Sequence, residues 1–369
     1  MLKLPAIVCA TDLSEGSNKA LHLASFIAGK AGAKLVIAHV IDLPAVTPYG
    51  ETMVDPQELQ ARVSQSAKAQ IGDILSDVPA DGWELKVSIG YPAKEICEII
   101  RQTDARLLVA ATHIRSGIER LLLGSVTRKL MFTLPVPFLV VSGSLPLERS
   151  SLHGTENILV STDFSEESRE AVRWGLNFAR VFGAKAVLAT VIESTQLDQI
   201  LHMDPQKEKA AAQKYTDELR HMLEGMVPED LADRVEIKVL AGRPHEELNK
   251  FAILNHMDLI CVGVRGRGLI ENLMVGSTTD RLVRLGQFPV LAVRAGLEKD
   301  WVEDGEGAGG AFFLWRPQAL FPLPPAGPLR FSARLAGTER RGAASGGSCG
   351  APPATGRSPA GPSAQGRAD

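Results

Sequence analysis

Aromatic residues and cysteines are scarce in this sequence, and neither sign of charge is in large excess. Aromatics make up 5% of the 369 residues, too few to indicate stacking platforms for single-stranded nucleic acid. The four cysteines form no C-x-x-C pair, so no zinc site or thioredoxin-type redox site is indicated. A net charge of −3 gives no global attraction to nucleic acid or to anionic membranes.

Long apolar runs are also missing. No stretch of 18 apolar residues occurs, which excludes a typical transmembrane helix. The first residues, "MLKLPAIVCATDLSEGS", do not resemble a secretory signal. We therefore expect a cytoplasmic protein that has neither a nucleic acid nor a membrane as partner.

Three nucleotide-enzyme fingerprints are missing as well. There is no Walker A Gly-Lys-[Ser/Thr] and no Ser-Gly-Gly-x-Asp-Ser loop of the kind that ATP-pyrophosphatase-type ligases carry. The turn "STDFSEES" after one apolar strand lacks the glycines that a dinucleotide fold needs at that place. P-loop enzymes, dinucleotide enzymes and such ligases are therefore disfavoured.

What the chain does contain is one internal repeat. Residues 7–24 match residues 158–175 at an offset of 151, and Gly124-Ser125 matches Gly276-Ser277 at an offset of 152. A repeat of this length indicates two copies of one domain rather than a solenoid. We predict a first domain at 1–143, a linker at 144–154, a second domain at 155–296, and a tail at 297–369.

The tail differs in composition from both copies. Residues 301–369 contain 13 Gly and 9 Pro, a mixture that cannot supply a regular core and predicts a largely disordered segment.

Each copy alternates β-branched strands with amphipathic helices in the order βαβαβαβαβ. Continuous apolar strands in that order predict an α/β fold, with two tandem doubly wound parallel sheets of five strands each. Ligands of such sheets bind beyond the carboxyl ends of the strands, where the strand order reverses.

The second copy carries a glycine-rich stretch, "GVRGRGLIENLMVGSTTD", directly after its fourth strand. Its spacing is Gly263-x2-Gly266-x9-Gly276-Ser277-Thr278. Glycine lets the backbone approach a ligand closely, and a helix that starts at Gly276 offers free N–H groups to phosphate.

Simpler explanations exist for parts of this stretch. Ser277 and Asp280 fit an S-x-x-[DE] capping box without any ligand, and Arg265 and Arg267 are either phosphate contacts or solvated loop residues.

With "TDFSEES" and "FPVLAVR", this motif resembles the ATP-binding signature of the universal stress protein (UspA) family over about 4–143 and 155–295. The resemblance implies the adenine-nucleotide α-hydrolase-like (Usp) type of α/β fold. It implies ATP as ligand, with Mg²⁺ or Mn²⁺ on the phosphates as an option. The implied ATP-binding residues are Asp163 and Val191 at the nucleoside end, and Gly263, Gly266, Gly276, Ser277 and Thr278 around the ribose and phosphates. Arg265 is added to this set because it lies in the same loop. Asp163 has a second interpretation, because Asp163 or Ser165 can cap the first helix.

The first copy lacks half of the glycines. Ala111 and Ile114 stand where the second copy has Gly263 and Gly266, while Gly124-Ser125 is retained. A β-branched residue fits poorly where φ > 0 is needed. We therefore expect a degenerate site (Asp12, Ala111, Ile114, Gly124, Ser125) that binds ATP weakly or not at all, or takes another ligand.

The last strand of each copy, 135–141 and 288–293, is apolar and contains proline, which restricts it to a sheet edge or a strand start. Family members dimerise through this strand, so the resemblance implies an intramolecular pseudo-dimer; two independent domains are the alternative, and association into a homodimer stays open. The function implied is a regulatory or protective stress-response protein that binds ATP, the alternative being a weak ATPase or a self-phosphorylating protein. No catalytic residue and no metal ligand is assigned.

Overall fold

The computed structural model describes residues 4–42, 55–79, 81–112, 124–143, 156–193, 205–265 and 275–295. The linker and the tail that the composition predicts lie outside these ranges, as do Gly266 and Ile114. The apolar strands and amphipathic helices follow one another in the predicted order.

The N-terminal domain contains five strands and four helices among its described residues. They are β1 (Ala6–Thr11), α1 (Glu15–Ala31), β2 (Lys34–Asp42), α2 (Pro56–Ile74), β3 (Trp83–Gly90), α3 (Pro92–Gln102), β4 (Ala105–Thr112), α4 (Ser125–Thr133) and β5 (Phe138–Ser142).

The described part of the C-terminal domain repeats that order and adds one 3₁₀ turn. Its elements are β6 (Asn157–Ser161), α5 (Glu166–Phe182), β7 (Lys185–Ile192), α6 (Pro205–Glu224), the 3₁₀ turn (Glu229–Arg234), β8 (Val235–Ala241), α7 (Pro244–Leu254), β9 (Leu259–Gly263), α8 (Ser277–Leu285) and β10 (Val290–Val293).

Local sequence signals explain where the first helix of each domain begins and ends. Ser14 and Ser165 are the N-caps of α1 and α5, and each side chain accepts a hydrogen bond from a backbone N–H three residues later. Gly32 and Gly183 end these helices with φ of 64° and 69°, a left-handed conformation that favours glycine.

The strands form one ten-stranded sheet in the order β3-β2-β1-β4-β5-β10-β9-β6-β7-β8. Within each domain all neighbouring strands are parallel. The chain order reverses between β1 and β4 in the N-terminal domain and between β6 and β9 in the C-terminal domain. The predicted α/β fold is confirmed, and the two reversal points are the places where such sheets bind ligands.

The two halves meet through their last strands. β5 and β10 pair antiparallel, with Val140 opposite Val290 and Phe138 opposite Ala292. The apolar edge of each half is thereby covered by the other, while β3 and β8 form the outer edges of the sheet. On one side of this junction the rings of Phe26 in α1 and Phe182 in α5 stack 5.8 Å apart and nearly parallel.

Helices cover both faces of the sheet. One face packs under α1, α2, α5 and α6, and the other packs under α3, α4, α7 and α8. The central strands β1, β4, β5, β6, β9 and β10 are almost fully buried, which explains their continuous apolar sequences. Both α4 and α8, the helices that the Gly-Ser motifs open, therefore lie on the same face.

Candidate functional site

The candidate site of the C-terminal domain lies at the carboxyl ends of β6 and β9. These two strands are neighbours in the sheet. The turn that leads into α5 follows β6, and the glycine-rich stretch that leads to α8 follows β9. The topology thus brings the residues around Asp163 and those around Gly263 to one edge.

The turn after β6 is held by buried hydroxyl groups. The Oγ atoms of Thr162 and Ser168 lie 2.9 Å apart, and the Phe164 N–H donates to Thr162 Oγ1 at 2.9 Å. Phe164 adopts φ of 65°, an uncommon conformation for a side chain of this size. The hydrogen bonds of Thr162 with Ser168 and Phe164 hold the turn in this conformation.

Asp163 lies half-buried in this turn. Its Oδ1 accepts hydrogen bonds from the Ser165 N–H at 3.0 Å and from the Ser165 hydroxyl at 2.6 Å. Ser165 is the N-cap of α5, so the capping interpretation holds for Ser165 and not for Asp163. Asp163 instead fixes the turn that precedes the cap.

The N-terminal domain has nearly the same turn. Thr11 and Ser17 form the hydroxyl pair at 2.8 Å, Leu13 has φ of 63°, and Asp12 Oδ1 accepts from the Ser14 N–H at 3.0 Å. Asp12 is exposed, whereas Asp163 is half-buried. The two domains therefore share this turn as a structural element, and its carboxylate is more exposed in the N-terminal domain.

Gly263 has a packing reason to be glycine. A Cβ at this position would lie 2.8 Å from the Ser168 nitrogen and 2.9 Å from the Glu167 carbonyl carbon, both in the backbone of α5. Such distances are too short for real contacts. The sequence interpretation of Gly263 as an approach point for a ligand is thus incomplete, because close packing against α5 is sufficient to require a glycine at this position.

In the N-terminal domain the start of α1 lies close to a different residue, Gly143. Ala111 replaces Gly263, and Gly16 stands where α5 has Glu167. A Cβ on Gly143, at the end of β5, would lie 3.3 Å from Gly16 Cα. The difference between Gly263 and Ala111 therefore does not by itself distinguish a binding site from a degenerate one.

The start of α8 is anchored on the end of β9. The Gly276 N–H donates to the Val264 carbonyl at 2.8 Å, and the Thr279 hydroxyl donates to the Gly263 carbonyl at 2.6 Å. Gly276 is buried and is the N-cap, a position at which glycine offers no side chain to cap the helix. Ser277 is exposed and Thr278 half-buried.

The capping box, the alternative explanation for Ser277 and Asp280, does not form. Ser277 is the first helical residue rather than the N-cap. The Asp280 carboxylate pairs with Arg284, with Oδ2 at 2.8 Å from Nε and Oδ1 at 3.0 Å from Nη2. The first N–H groups of α8 have no partner within the helix, and neither Ser277 nor Asp280 caps them in the way the capping box requires.

The corresponding helix α4 is attached differently. Its N-cap Gly124 is exposed, as is Ser125. The Thr112 carbonyl, the counterpart of the Val264 carbonyl, accepts from the Gly143 N–H at 3.1 Å. The Gly143 carbonyl in turn accepts from the Lys19 ammonium at 2.6 Å. In the N-terminal domain, Gly143 at the end of β5 therefore donates to the Thr112 carbonyl. In the C-terminal domain the equivalent carbonyl, that of Val264, accepts from the helix start instead.

Two arginines lie near the C-terminal site. Burial lowers the pKa of Arg294, the nearby charge of Arg265 lowers it further, and Glu167 opposes both effects. Arg294 Nη1 donates to the Phe132 carbonyl and, at 3.3 Å, to the Leu134 carbonyl at the end of α4. Arg265 thus adds positive charge close to the end of β9, and Arg294 connects this region to the other domain.

Val191, expected at the adenine end, is half-buried near the end of β7, opposite Leu240 of β8. It packs against the core on the face that α7 and α8 cover, the face on which the anchored helix start lies.

Other chemistry is restricted among the described residues. They contain no group of three or more His, Cys, Asp or Glu side chains placed to hold a metal ion. The thiols of Cys9 and Cys261 are fully buried, and burial raises the pKa of each well above its usual value. No helix in the described part of the chain is long and apolar enough to span a bilayer.

Three features of the site escaped the sequence interpretation. They are the Thr279 hydroxyl bond, the glycine pair Gly16 and Gly143, and the contact from Arg294 to the other domain. Each depends on elements distant in sequence that meet at the end of a strand. The only local signal was the repeat itself, since Thr127 stands at the position of Thr279.

A doubly wound parallel sheet with a helix start at the carboxyl edge defines a class of α/β domains that commonly bind nucleotides. The sequence profile described as "Universal stress protein family" matches residues 4–142 and 154–294. These matches cover more than half of the chain, which therefore belongs to the universal stress protein family, a family with a role in the stress response.

Individual relatives agree with this assignment. A universal stress protein of Mycolicibacterium smegmatis is 24% identical over 294 residues, covering 78% of this chain and 96% of the relative. One from Methanocaldococcus jannaschii is 25% identical over 153 residues, covering 38% of this chain and 94% of the relative. The crystal structure of a universal stress protein from Archaeoglobus fulgidus has a TM-score of 0.57 at 21% identity, covering 79% of this chain and 96% of that one; this likeness concerns the fold.

Proposed function

We propose that the C-terminal domain binds ATP at the carboxyl ends of β6 and β9, and that this binding serves a regulatory or protective role in the stress response. The observation that carries the proposal is the anchored start of α8, where the N-cap is Gly276, a residue without a side chain, and its N–H is bonded to the Val264 carbonyl. Free N–H groups and the positive end of the helix dipole suit a phosphate.

The phosphate end follows from this helix start. The hydroxyls of Ser277 and Thr278, at the first two helical positions, add hydrogen-bond donors. Arg265 supplies positive charge at the end of β9. Gly266 belongs to the same motif and lies outside the described residues. Mg²⁺ or Mn²⁺ bound to the phosphates belongs to the proposal as an option.

The nucleoside end is assigned to the neighbouring strand ends. The Asp163 carboxylate is held by Ser165 in a turn of fixed shape, so a ribose or base contact would need little further ordering of this side chain. Val191 lies near the end of β7 and packs on the face of the sheet that α7 and α8 cover. The family motif supports both assignments.

The N-terminal domain is proposed to bind ATP weakly or not at all. Its motif helix α4 has an exposed N-cap, and the Thr112 carbonyl is occupied by the Gly143 N–H. The N–H groups of α4 are therefore not anchored on β4 as those of α8 are on β9. Within the chain this domain acts as the structural partner of the C-terminal domain, in a pseudo-dimer joined by the paired strands β5 and β10.

Binding is favoured over turnover. Asp280 is the carboxylate closest in sequence to the helix start, and it is engaged by Arg284. A general base must be within hydrogen-bond reach of the attacking water and able to accept its proton. An ion-paired Asp280 is poorly suited to that task, so weak hydrolysis or self-phosphorylation remains the secondary candidate.

Calorimetric titration of the full chain with ATP tests the proposal. We expect one site per chain. Small molecules released by denaturing the purified protein and identified by mass spectrometry give an independent stoichiometry, with about one nucleotide per chain expected on the one-site assignment. Two equal sites would overturn the assignment to one domain, and no interaction with ATP would overturn the proposed ligand.

A further inference from the structure

We infer that Thr279 is a positioning residue for the phosphate end of the C-terminal site. Its hydroxyl fixes the start of α8 on the end of β9, and this placement sets the affinity for the phosphates. The inference rests on the proposed function, because it concerns how the same site is built. Thr279 itself is not assigned a contact with the ligand.

The geometry singles out Thr279 from its neighbours. It is the third residue of α8, its side chain is only 2% exposed, and Oγ1 donates to the Gly263 carbonyl at 2.6 Å. Two consecutive carbonyls thus bind the helix start. The Gly263 carbonyl accepts from Thr279, the third helical residue, and the Val264 carbonyl accepts from the N-cap Gly276. The backbone between them, at Ser277 and Thr278, is thereby fixed.

This arrangement divides the hydroxyl groups of the motif by role. The Thr279 hydroxyl is already engaged by the backbone, whereas Ser277 is exposed and Thr278 half-buried. Ser277 and Thr278 are thus placed to meet a ligand, and Thr279 is placed to hold the helix that carries them. Preorganised donors bind an anion better than donors that must first be ordered.

The N-terminal domain provides the natural comparison. Thr127 is the counterpart of Thr279, but it is only half-buried, and the N-cap Gly124 is exposed. The Thr112 carbonyl accepts a hydrogen bond from the Gly143 N–H at the end of β5, not from the start of α4. The same threonine in the repeat thus lacks the same attachment, which makes it a matched control.

Removing the Thr279 hydroxyl leaves the Gly263 carbonyl without its donor and frees the helix start. We expect Thr279→Val, which keeps the shape of the side chain, to weaken ATP binding by about tenfold. Because adenosine has no phosphates to place on the helix start, its affinity should change less than about twofold. The ratio of the two affinities distinguishes positioning of the phosphate end from general damage to the domain.

The experiment titrates the full chain with ATP and, separately, with adenosine. The variants are Thr279→Val, Thr279→Ser and Thr127→Val. The serine variant keeps the hydroxyl and should restore ATP affinity to within about twofold of the unmodified protein. Thr127→Val should leave both affinities unchanged. If Thr279→Val does not yield folded protein, Thr279→Ala replaces it in the same comparison.

The inference is overturned by ATP affinity that is unchanged in Thr279→Val, by equal losses for ATP and adenosine, or by failure of Thr279→Ser to recover binding. Each of these results leaves ATP binding by the unmodified protein, and hence the proposed function, intact. An unmodified chain that does not bind ATP would instead reject the proposed function, and the inference would fall with it.

Discussion

Gly263 lies directly against the start of α5, where a Cβ would come within 2.8 Å of the Ser168 nitrogen. This contact separates two reasons for the same glycine, since close packing and ligand approach both require a small residue. A substitution at Gly263 is therefore expected to change the stability of the fold as well as any nucleotide binding.

Gly263→Ala should lower the free energy of unfolding by about 1–3 kcal/mol, since the added methyl group meets the backbone of α5 rather than a flexible side chain. Urea-induced unfolding followed by circular dichroism measures the change. The matched variant Ala111→Gly should cost only about 1 kcal/mol or less, because it adds backbone freedom without a clash. A Gly263→Ala protein as stable as the unmodified chain would contradict the contact.

Ser277→Asp should weaken ATP binding by at least about tenfold while keeping the fold. A carboxylate at the first position of a helix is favourable by about 0.3–1 kcal/mol. The same charge a few ångströms from a phosphate is repulsive by an energy on the order of 4 kcal/mol near a protein surface. Calorimetry gives the affinity and thermal unfolding gives the stability. The control is Ser125→Asp in the N-terminal domain, and an equal loss of affinity there would refute the assignment to one domain.

Arg294→Met should weaken the junction between the domains. The guanidinium donates to two carbonyls at the end of α4, and their loss should reduce the free energy of unfolding by about 1–3 kcal/mol. Arg62→Met removes an exposed pair with Glu58 and should change stability by less than about 1 kcal/mol. Equal effects of the two substitutions in chemical denaturation would show that the Arg294 contact contributes little.

His245 should make the stability of the protein depend on pH. Burial lowers the pKa of this imidazole, and the nearby Arg281 lowers it further. The unfolded chain therefore binds the proton more readily than the folded one, and the contribution of His245 to stability is lost as the pH falls from above 6.5 through the lowered pKa. Arg281→Met should raise the imidazole pKa in an NMR titration and flatten this dependence. An unchanged pKa in that variant would exclude Arg281 as a cause.

Much of the fold could be predicted because its signals are local. Gly183 ends α5 in the left-handed conformation that glycine commonly adopts there, and Pro205 is the first residue of the long helix α6, where proline is favoured. The 3₁₀ turn at Glu229–Arg234 was not predicted, since six residues without a clear apolar period resemble an ordinary loop.

The site was less accessible to sequence reasoning. Ser277 and Asp280 match a capping box in sequence. The N-cap of α8 is nevertheless Gly276, one residue before Ser277, and the Asp280 carboxylate pairs with Arg284. The bond from Thr279 to Gly263 spans sixteen residues and forms only because α8 returns to the end of β9. Such contacts follow from the three-dimensional path of the chain, which residue spacing alone does not specify.

The antiparallel pairing of β5 with β10 has a consequence for how the protein behaves on dilution. Both strands belong to one polypeptide, so they meet at an effective concentration fixed by a short connection, on the order of millimolar. The outer strands β3 and β8 carry alternating charges, with Lys86 beside Glu84 and Lys238 beside Glu236, a pattern that discourages further strands from joining. The pairing of β5 with β10 is therefore set within a single molecule and does not depend on protein concentration.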